Sequence, residues 1–350
     1  MSRPPAGAAG PRGPWQHPAR PALDRVELTR RGVLGLGLAG VLAACAPTRP
    51  DAGAPVTSPP GSPSPTPTPS PSPLPGVPPP LDLTAALADV EARHGVRLGL
   101  HALDTAQGRT VSHRADERFA FCSTFKPLAA AAVLASRGVA GLEEVVPVTA
   151  DDLMTYSPVA ETRVGVGMTW RELGDAAVRY SDNTAGNLLL RGAGGPEGLT
   201  AWLRGIGDDV TRSDRWEPEL NASAPGDERD TSTPRALAGT YGALVVGDAL
   251  GVPEREVLSD WLVRNTTGDA LVRSAARPGW TVGDKTGSGA YGTRNDVAVV
   301  WPGAPGTTEG TPVLLAICTD RPDPDADTED APLAEAAGIV LDALVVARTT

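Results

Sequence analysis

Residues 122–136 read CSTFKPLAAAAVLAS, which places a serine, a lysine three positions later and an apolar, helix-forming run in direct succession. The run from Leu128 to Ser136 predicts a helix, and Pro127 lies at the edge of its first turn, where a missing N–H matters least. Ser123 and Lys126 then share one helix face, so the amine can accept or share the hydroxyl proton. The helix dipole favours a developing alkoxide at this end. Alone the pattern is weak, because Ser123 could simply be an N-cap.

A second lysine marks another short motif. All 31 basic residues are arginine except Lys126 and Lys285, and a partly buried lysine can lose its proton near neutral pH whereas an arginine cannot. Residues 285–289 read KTGSG at the end of a predicted strand, where small residues let a substrate backbone lie alongside. Chance placement of the lysine and a glycine-rich hairpin turn are the alternatives.

A third motif, Ser181-Asp182-Asn183, lies between two predicted helices. It follows the helical run Trp170–Tyr180 and precedes a short helix from Thr184. As an isolated tripeptide it is most simply another N-cap.

The fourth motif is residues 215–221, RWEPELN, in a polar loop that continues to Asp230. Glu217 and Asn221, a carboxylate and an amide four residues apart, could hold one water between them. Arg215 and Asp230 could pin the two ends of the loop together. The alternative is a solvated loop with a surface ion pair, which would contribute little to stability.

Together and in this order, the four motifs resemble those of serine β-lactamases and penicillin-binding proteins, and most closely class A β-lactamases. The resemblance extends from about Leu81 to the C-terminus. It includes Tyr156-Ser157-Pro158, which is similar to the aromatic gate of that family.

The resemblance implies an acyl-enzyme mechanism. Ser123 would attack the lactam carbonyl, and the backbone N–H groups of Ser123 and Ser288 would form the oxyanion hole. Either Lys126, or Glu217 through a water, would deprotonate the serine. Glu217, helped by Asn221, would then activate the water that hydrolyses the ester.

The resemblance also implies roles in substrate binding. Ser181, supported by Lys285, would pass a proton to the lactam nitrogen, and Asn183 would bind the side-chain amide of the substrate. Tyr156 would form the aromatic gate of the site. Thr286, Ser288 and Arg294 would bind the carboxylate of the substrate.

Glu217 distinguishes an enzyme that hydrolyses the drug from a protein that stays acylated by it. Penicillin-binding carboxypeptidases and transpeptidases share the other motifs but lack the glutamate-bearing loop, so the complete fourth motif favours β-lactam hydrolysis. A β-lactam sensor without turnover is a further alternative, but it would need a transmembrane signalling segment.

Cofactors and thiol chemistry have little support in the sequence. His94, His101 and His113 match no zinc spacing, so no metal or other cofactor is expected. Cys122 adjoins the predicted nucleophile, but no Cys/His signature accompanies it. Some carbapenem-hydrolysing relatives pair a cysteine at this place with one at the position of Gly289, so carbapenem hydrolysis is not assigned; Ser288 is compatible with cephalosporins.

The predicted fold is α/β (α+β), an antiparallel sheet built from both chain ends, flanked by helices, with an inserted all-helical lobe. The sheet lobe covers about 81–119 and 264–350, and the helical lobe about 120–263. A closing amphipathic helix is predicted from Ala331 to Ala347. The predicted strands are Val96–Leu103, Thr110–Arg114, Thr281–Lys285, Asn295–Trp301 and Pro312–Thr319.

The first 80 residues predict export and tethering. Residues 1–45 resemble a twin-arginine lipoprotein signal, with Arg30-Arg31, a short apolar run and a lipobox that ends at Cys45. Residues 46–80 contain 15 prolines in 35 positions, typical of an extended linker. A lipid on Cys45 would hold the enzyme at the outer face of the cytoplasmic membrane, unless it is secreted. The net charge of −11, without basic clusters, argues against nucleic acid, and a monomer acting on β-lactams is expected.

Overall fold

A computed structural model describes residues 78–303, 306, 308 and 310–346. The predicted signal peptide at 1–45, with Cys45, and nearly all of the predicted linker at 46–80 lie outside these residues. Among the described helices, none is both long and apolar enough to cross a membrane.

The element boundaries lie close to those predicted. The helices are α1 (Thr84–His94), α2 (Lys126–Gly141), α3 (Trp170–Arg179), α4 (Asn183–Gly192), α5 (Gly195–Gly205), α6 (Pro234–Val245), α7 (Val252–Val263), α8 (Val272–Ala275) and α9 (Ala331–Val346). The strands are β1 (Arg97–Asp104), β2 (Arg109–His113), β3 (Phe119–Ala120), β4 (Val145–Val146), β5 (Met168–Thr169), β6 (Thr231–Ser232), β7 (Thr281–Ser288), β8 (Arg294–Trp301) and β9 (Val313–Asp320).

Five strands form one antiparallel sheet in the order β2-β1-β9-β8-β7. Two of them come from the N-terminal part of the chain and three from the C-terminal part, with the helical segment between. This confirms the predicted sheet from both chain ends with helices around it.

Apolar residues line both faces of the central strands, so the sheet is covered on both sides. On β8, Val297 and Val299 join the core beneath the helical lobe. The alternate residues Ala298 and Val300 join the core beneath α1 and α9. The strand period of two therefore divides the molecule into two cores.

β7 continues three residues beyond the predicted strand. Its pairing with β8 extends to Ser288 opposite Arg294, so the KTGS residues lie on the edge strand of the sheet rather than in a turn. A glycine-rich hairpin turn is therefore the wrong interpretation for these four residues.

The segment 120–263 is mostly helical, with short strands that the sequence did not predict. β3 pairs with β6, and β4 pairs with β5, each through two residue pairs. Within α2, Gly138 has φ 63° and ψ 171°, so the helix is interrupted two residues after the predicted run Leu128 to Ser136. The prediction of an all-helical lobe is confirmed for its helices, but it omitted these two short strand pairs.

Candidate active site

Ser123 lies in a 3₁₀ turn, Cys122–Phe125, that leads directly into α2. The N-cap residue of α2 is Phe125, and no side chain caps this helix. Ser123 is therefore not an N-cap. The turn packs against β7, where a side chain at Gly287 would come within 2.9 Å of the Phe121 carbonyl oxygen. The glycine of the KTG motif is thus required for the close approach of the edge strand to the serine.

Lys126 is fully buried among oxygen atoms. Its Nζ lies 2.7 Å from the Ser181 carbonyl oxygen, 2.6 Å from Asn183 Oδ1 and 3.2 Å from Glu217 Oε1. Burial lowers the pKa of Lys126, an effect that the negative charges of Glu217 and Asp182 oppose. The amine is therefore easier to deprotonate than an ordinary lysine, although all its close partners are acceptors.

Asp182 carries the capping function in the third motif. Its Oδ1 accepts a hydrogen bond from the Ala185 N–H at the start of α4, and its Oδ2 accepts from the N–H groups of Val159 and Ala160, each at 2.9 Å. The N-cap interpretation is thus correct for Asp182, and it leaves Ser181 and Asn183 directed towards Lys126.

Lys285 lies on the other side of Ser181. Its Nζ is 3.1 Å from Ser181 Oγ, while Lys126 Nζ is 3.4 Å from the same oxygen. Lys285 is fully buried, and burial together with the charge of Lys126 lowers its pKa well below the ordinary value. The only two lysines of the chain therefore converge on one hydroxyl.

Glu217 reaches the same cluster from its loop. Its Oε1 lies 3.5 Å from Ser123 Oγ, and Asn221 Nδ2 donates directly to its other carboxylate oxygen. The sequence had suggested a water between the glutamate and Asn221; the two side chains instead touch. The Glu217-Pro218 peptide bond is cis.

Asn187 is a site residue that the sequence reading missed. Its Nδ2 donates to the Glu217 carbonyl oxygen at 3.0 Å, and its Oδ1 accepts from the Glu217 N–H at 2.9 Å. It lies four residues after Asn183 and thus on the same face of α4. That spacing is the one signal in the sequence that could have indicated it.

The loop that carries Glu217, residues 215–230, is closed at its ends as predicted. Arg215 Nε lies 2.5 Å from Asp230 Oδ2, and Asp230 Oδ1 accepts the N–H groups of Asp214 and Arg215 at 2.8 and 2.9 Å. Asp230 is fully buried. The surface-ion-pair alternative is therefore wrong for this pair.

The remaining predicted residues border the cluster. Arg294 Nη1 donates to Ser288 Oγ at 2.8 Å, and its Nε pairs with Asp330 Oδ1 at 2.7 Å. Thr286 lies two residues before Ser288 on the same strand. The carbonyl of Tyr156 accepts the N–H of Asn183 at 3.0 Å. All eleven predicted catalytic and substrate-binding residues are thus in one region between β7, α2, α4 and the Glu217 loop.

The sulfur and imidazole groups take other positions. Cys122 is fully buried, and burial raises the pKa of its thiol to about 12, which disfavours a thiolate nucleophile. His94, His101 and His113 contact Glu335, Ser112 and Glu91, respectively. In the described part of the chain, no group of three His, Cys, Asp or Glu side chains is placed to hold a metal ion.

Comparison with known proteins gives consistent matches. The model of the β-lactamase enzyme family matches residues 82–344. A β-lactamase of Amycolatopsis lactamdurans is 52% identical over 267 residues, covering 76% of this chain and 87% of the relative. The β-lactamase AST-1 of Nocardia asteroides is 54% identical, covering 73% of this chain and 82% of the relative. The crystal structure of a halotolerant bacterial β-lactamase superposes with a TM-score of 0.72 at 49% identity, covering 74% of this chain and 98% of that one.

Proposed function

Because the chain belongs to the β-lactamase enzyme family and hydrolyses β-lactams, we propose that it does so through an ester on Ser123 that a Glu217-activated water clears. The observation that carries this proposal is the contact between Ser123 Oγ and Glu217 Oε1 at 3.5 Å. A catalytic hydrogen bond is often long before the substrate binds, and a contact of this length needs to shorten by only a few tenths of an ångström for the carboxylate to take the hydroxyl proton.

Lys126 is arranged as a hydrogen-bond donor. It lies within 3.2 Å of three acceptors, the Ser181 carbonyl, Asn183 Oδ1 and Glu217 Oε1, and an ammonium has three hydrogens to donate. With those hydrogens committed, the amine has no lone pair for the serine proton. We therefore favour Glu217 as the base for Ser123 and Lys126 as the cation paired with its carboxylate.

Ser181 is arranged to deliver a proton. Its Oγ is approached by two amines, Lys285 at 3.1 Å and Lys126 at 3.4 Å. The hydroxyl accepts from Lys285, and it cannot donate to the Lys126 ammonium, which has no lone pair, so it must direct its own hydrogen elsewhere. In the proposed mechanism that hydrogen goes to the lactam nitrogen as the C–N bond breaks. Lys126, 3.2 Å from Glu217 Oε1 and 3.4 Å from Ser181 Oγ, then gives a proton to Ser181 and takes from Glu217 the proton that came from Ser123, so that Glu217 is again a base for the water.

The decisive test is the variant Glu217→Ala with a penicillin. We expect acyl-enzyme to accumulate, because ester hydrolysis loses its base, whereas Lys126, buried and no longer paired with the carboxylate, can take the Ser123 proton in its place. Turnover should fall by roughly 10²- to 10⁴-fold. Intact-protein mass spectrometry would show the added mass of the whole penicillin. Glu219→Ala, two residues away on an exposed side chain, is the matched control and should turn over normally. Undiminished turnover by Glu217→Ala would refute the assignment.

We further propose that the enzyme is exported through its twin-arginine signal and anchored, as a monomer, to the outer face of the cytoplasmic membrane by a lipid on Cys45. The support is the sequence of residues 1–45 and the proline-rich residues 46–80. Mass spectrometry of the membrane fraction should find diacylglyceryl-modified Cys45, and Cys45→Ser should move activity to the soluble fraction. Mature protein with an unmodified Cys45 would remove the anchor from the proposal.

A further inference from the structure

A line of hydrogen bonds leads from Thr286 away from the catalytic cluster. Thr286 Oγ1 lies 2.7 Å from Thr267 Oγ1, Thr267 Oγ1 lies 2.9 Å from Asn265 Oδ1, and Asn265 Nδ2 lies 2.6 Å from Asp284 Oδ2. The other carboxylate oxygen of Asp284 pairs with Arg273 Nε at 2.6 Å. Thr267 and Asn265 belong to no motif described above.

The direction of each hydrogen bond in this line is fixed by one backbone group. The N–H of Thr267 donates to Asn265 Oδ1 at 3.1 Å, and a backbone N–H can only donate. The amide oxygen of Asn265 therefore faces Thr267, and its nitrogen faces Asp284. The Thr267 hydroxyl must accordingly donate to Asn265, so it accepts the hydrogen of Thr286.

In this arrangement the Thr286 hydrogen therefore points towards Thr267. To bind a carboxylate, Thr286 has to rotate its hydrogen towards the ligand. Thr267 can then rotate as well and donate to the freed lone pair of Thr286, because Asn265 Oδ1 keeps the backbone N–H of Thr267 as its donor. The two rotations give up the bond from the Thr267 hydroxyl to Asn265 Oδ1 and gain one from Thr286 to the ligand, so the number of hydrogen bonds is unchanged.

We propose that Thr267 is a positioning residue that supplies a hydrogen bond to Thr286 when Thr286 binds the carboxylate of the β-lactam. This inference rests on the proposed function, in which Thr286 belongs to the carboxylate-binding set. A hydroxyl that accepts one hydrogen bond is a stronger donor of the next, so the line strengthens the contact with the substrate. Thr267 thereby tunes affinity for the acid group without touching the reacting atoms.

The surrounding backbone holds the line in place. A side chain at Gly268 would come within 1.9 Å of Asp284 Oδ2, so only glycine lets this loop pack onto the buried carboxylate. Asn265 and Thr286 are 5% and 2% exposed. The two hydroxyl hydrogens are therefore the parts of the line that are free to move.

The test compares Thr267→Val with Thr267→Ser on a penicillin and on its methyl ester, in which the carboxylate is blocked. For the acid, we expect Thr267→Val to raise KM about 3- to 10-fold, the size of one lost hydrogen bond, with kcat nearly unchanged. For the ester, both parameters should stay within about 2-fold of the wild type. Thr267→Ser, which keeps the hydroxyl, should restore the KM of the acid.

Thr266→Val is the matched control. Its hydroxyl donates to the Arg179 carbonyl at 2.8 Å and lies outside the line, so KM should not change. An equal effect of Thr267→Val on acid and ester, or none on the acid, would overturn the inference. Neither result would touch the proposed function, whose own failure would appear as turnover in Glu217→Ala.

Discussion

At the scale of single residues, the two lysines are used where arginine could not serve. Lys126 and Lys285 are both fully buried, and burial lowers the pKa of each amine. An arginine in either place would remain charged throughout the reaction. Both positions therefore hold an amine that can pass on a proton, which an arginine could not do.

Backbone strain is also concentrated at single residues of the site. A positive φ is costly for a side chain other than glycine, about 1 kcal/mol or more, and persists where the surroundings enforce it. Five of the seven such residues in the described part of the chain border the site: Cys122, Tyr156, Ser181, Ser223 and Asp230. The strained positions flank or include the groups that the proposed mechanism uses, which is where pre-organisation has a chemical purpose.

At the scale of elements, the Glu217 loop depends on the buried pair Arg215–Asp230. We expect Asp230→Asn to lower the free energy of unfolding by about 3 kcal/mol, because breaking a buried pair leaves a buried charge uncompensated. We also expect deacylation to slow at least about 10-fold, since the loop positions the carboxylate of Glu217. Acylation and deacylation rates can be separated by rapid-quench mass spectrometry, and urea unfolding gives the stability.

Asp227→Asn provides the matched control for that prediction. Asp227 lies 3.8 Å from the same arginine, and its main partner, Arg229, has a side chain that is 54% exposed. Its loss should change stability by less than about 1 kcal/mol. Equal effects of the two substitutions would mean that the loop is not held by the buried pair.

The elements show what the sequence could and could not predict. The short apolar run Val297–Trp301 on β8 is rich in β-branched valine, and the run of α2 is rich in alanine and leucine, so residue type indicated a strand and a helix, respectively. The pairs β3–β6 and β4–β5 were missed because two-residue strands have no period to detect. Asn187 was missed because its role depends on a contact with the Glu217 backbone, 30 residues later, which its spacing from Asn183 does not by itself reveal.

At the scale of the whole molecule, the site lies between the sheet and the helical segment. β7 is an edge strand of the sheet, and Gly287 on this strand packs against the turn that precedes α2. Asn295 on β8 donates to the carbonyls of Ala120 and Phe121 just before Ser123, at 2.8 and 3.2 Å. Positioning of the nucleophile is therefore coupled to the integrity of the sheet, and global stability bears directly on activity.

That global stability should fall in acid because of His101 on β1. Its side chain is 7% exposed, and burial, followed by the charge of Arg235, lowers its pKa to about 4, with Asp116 acting in the opposite direction. Unfolded His101 would take up a proton near pH 6.5, whereas the folded protein resists until about pH 4, so the unfolded state binds more protons in between. Stability is therefore lost as pH falls from about 6.5 to 4, by about 3 kcal/mol in total from this residue. Urea unfolding at pH 7 and pH 4.5 measures the loss, and His101→Asn, which cannot titrate there, should lose about 2 kcal/mol less than the wild type between the two pH values. The same loss in both proteins would show that the carboxylates alone carry the acid sensitivity.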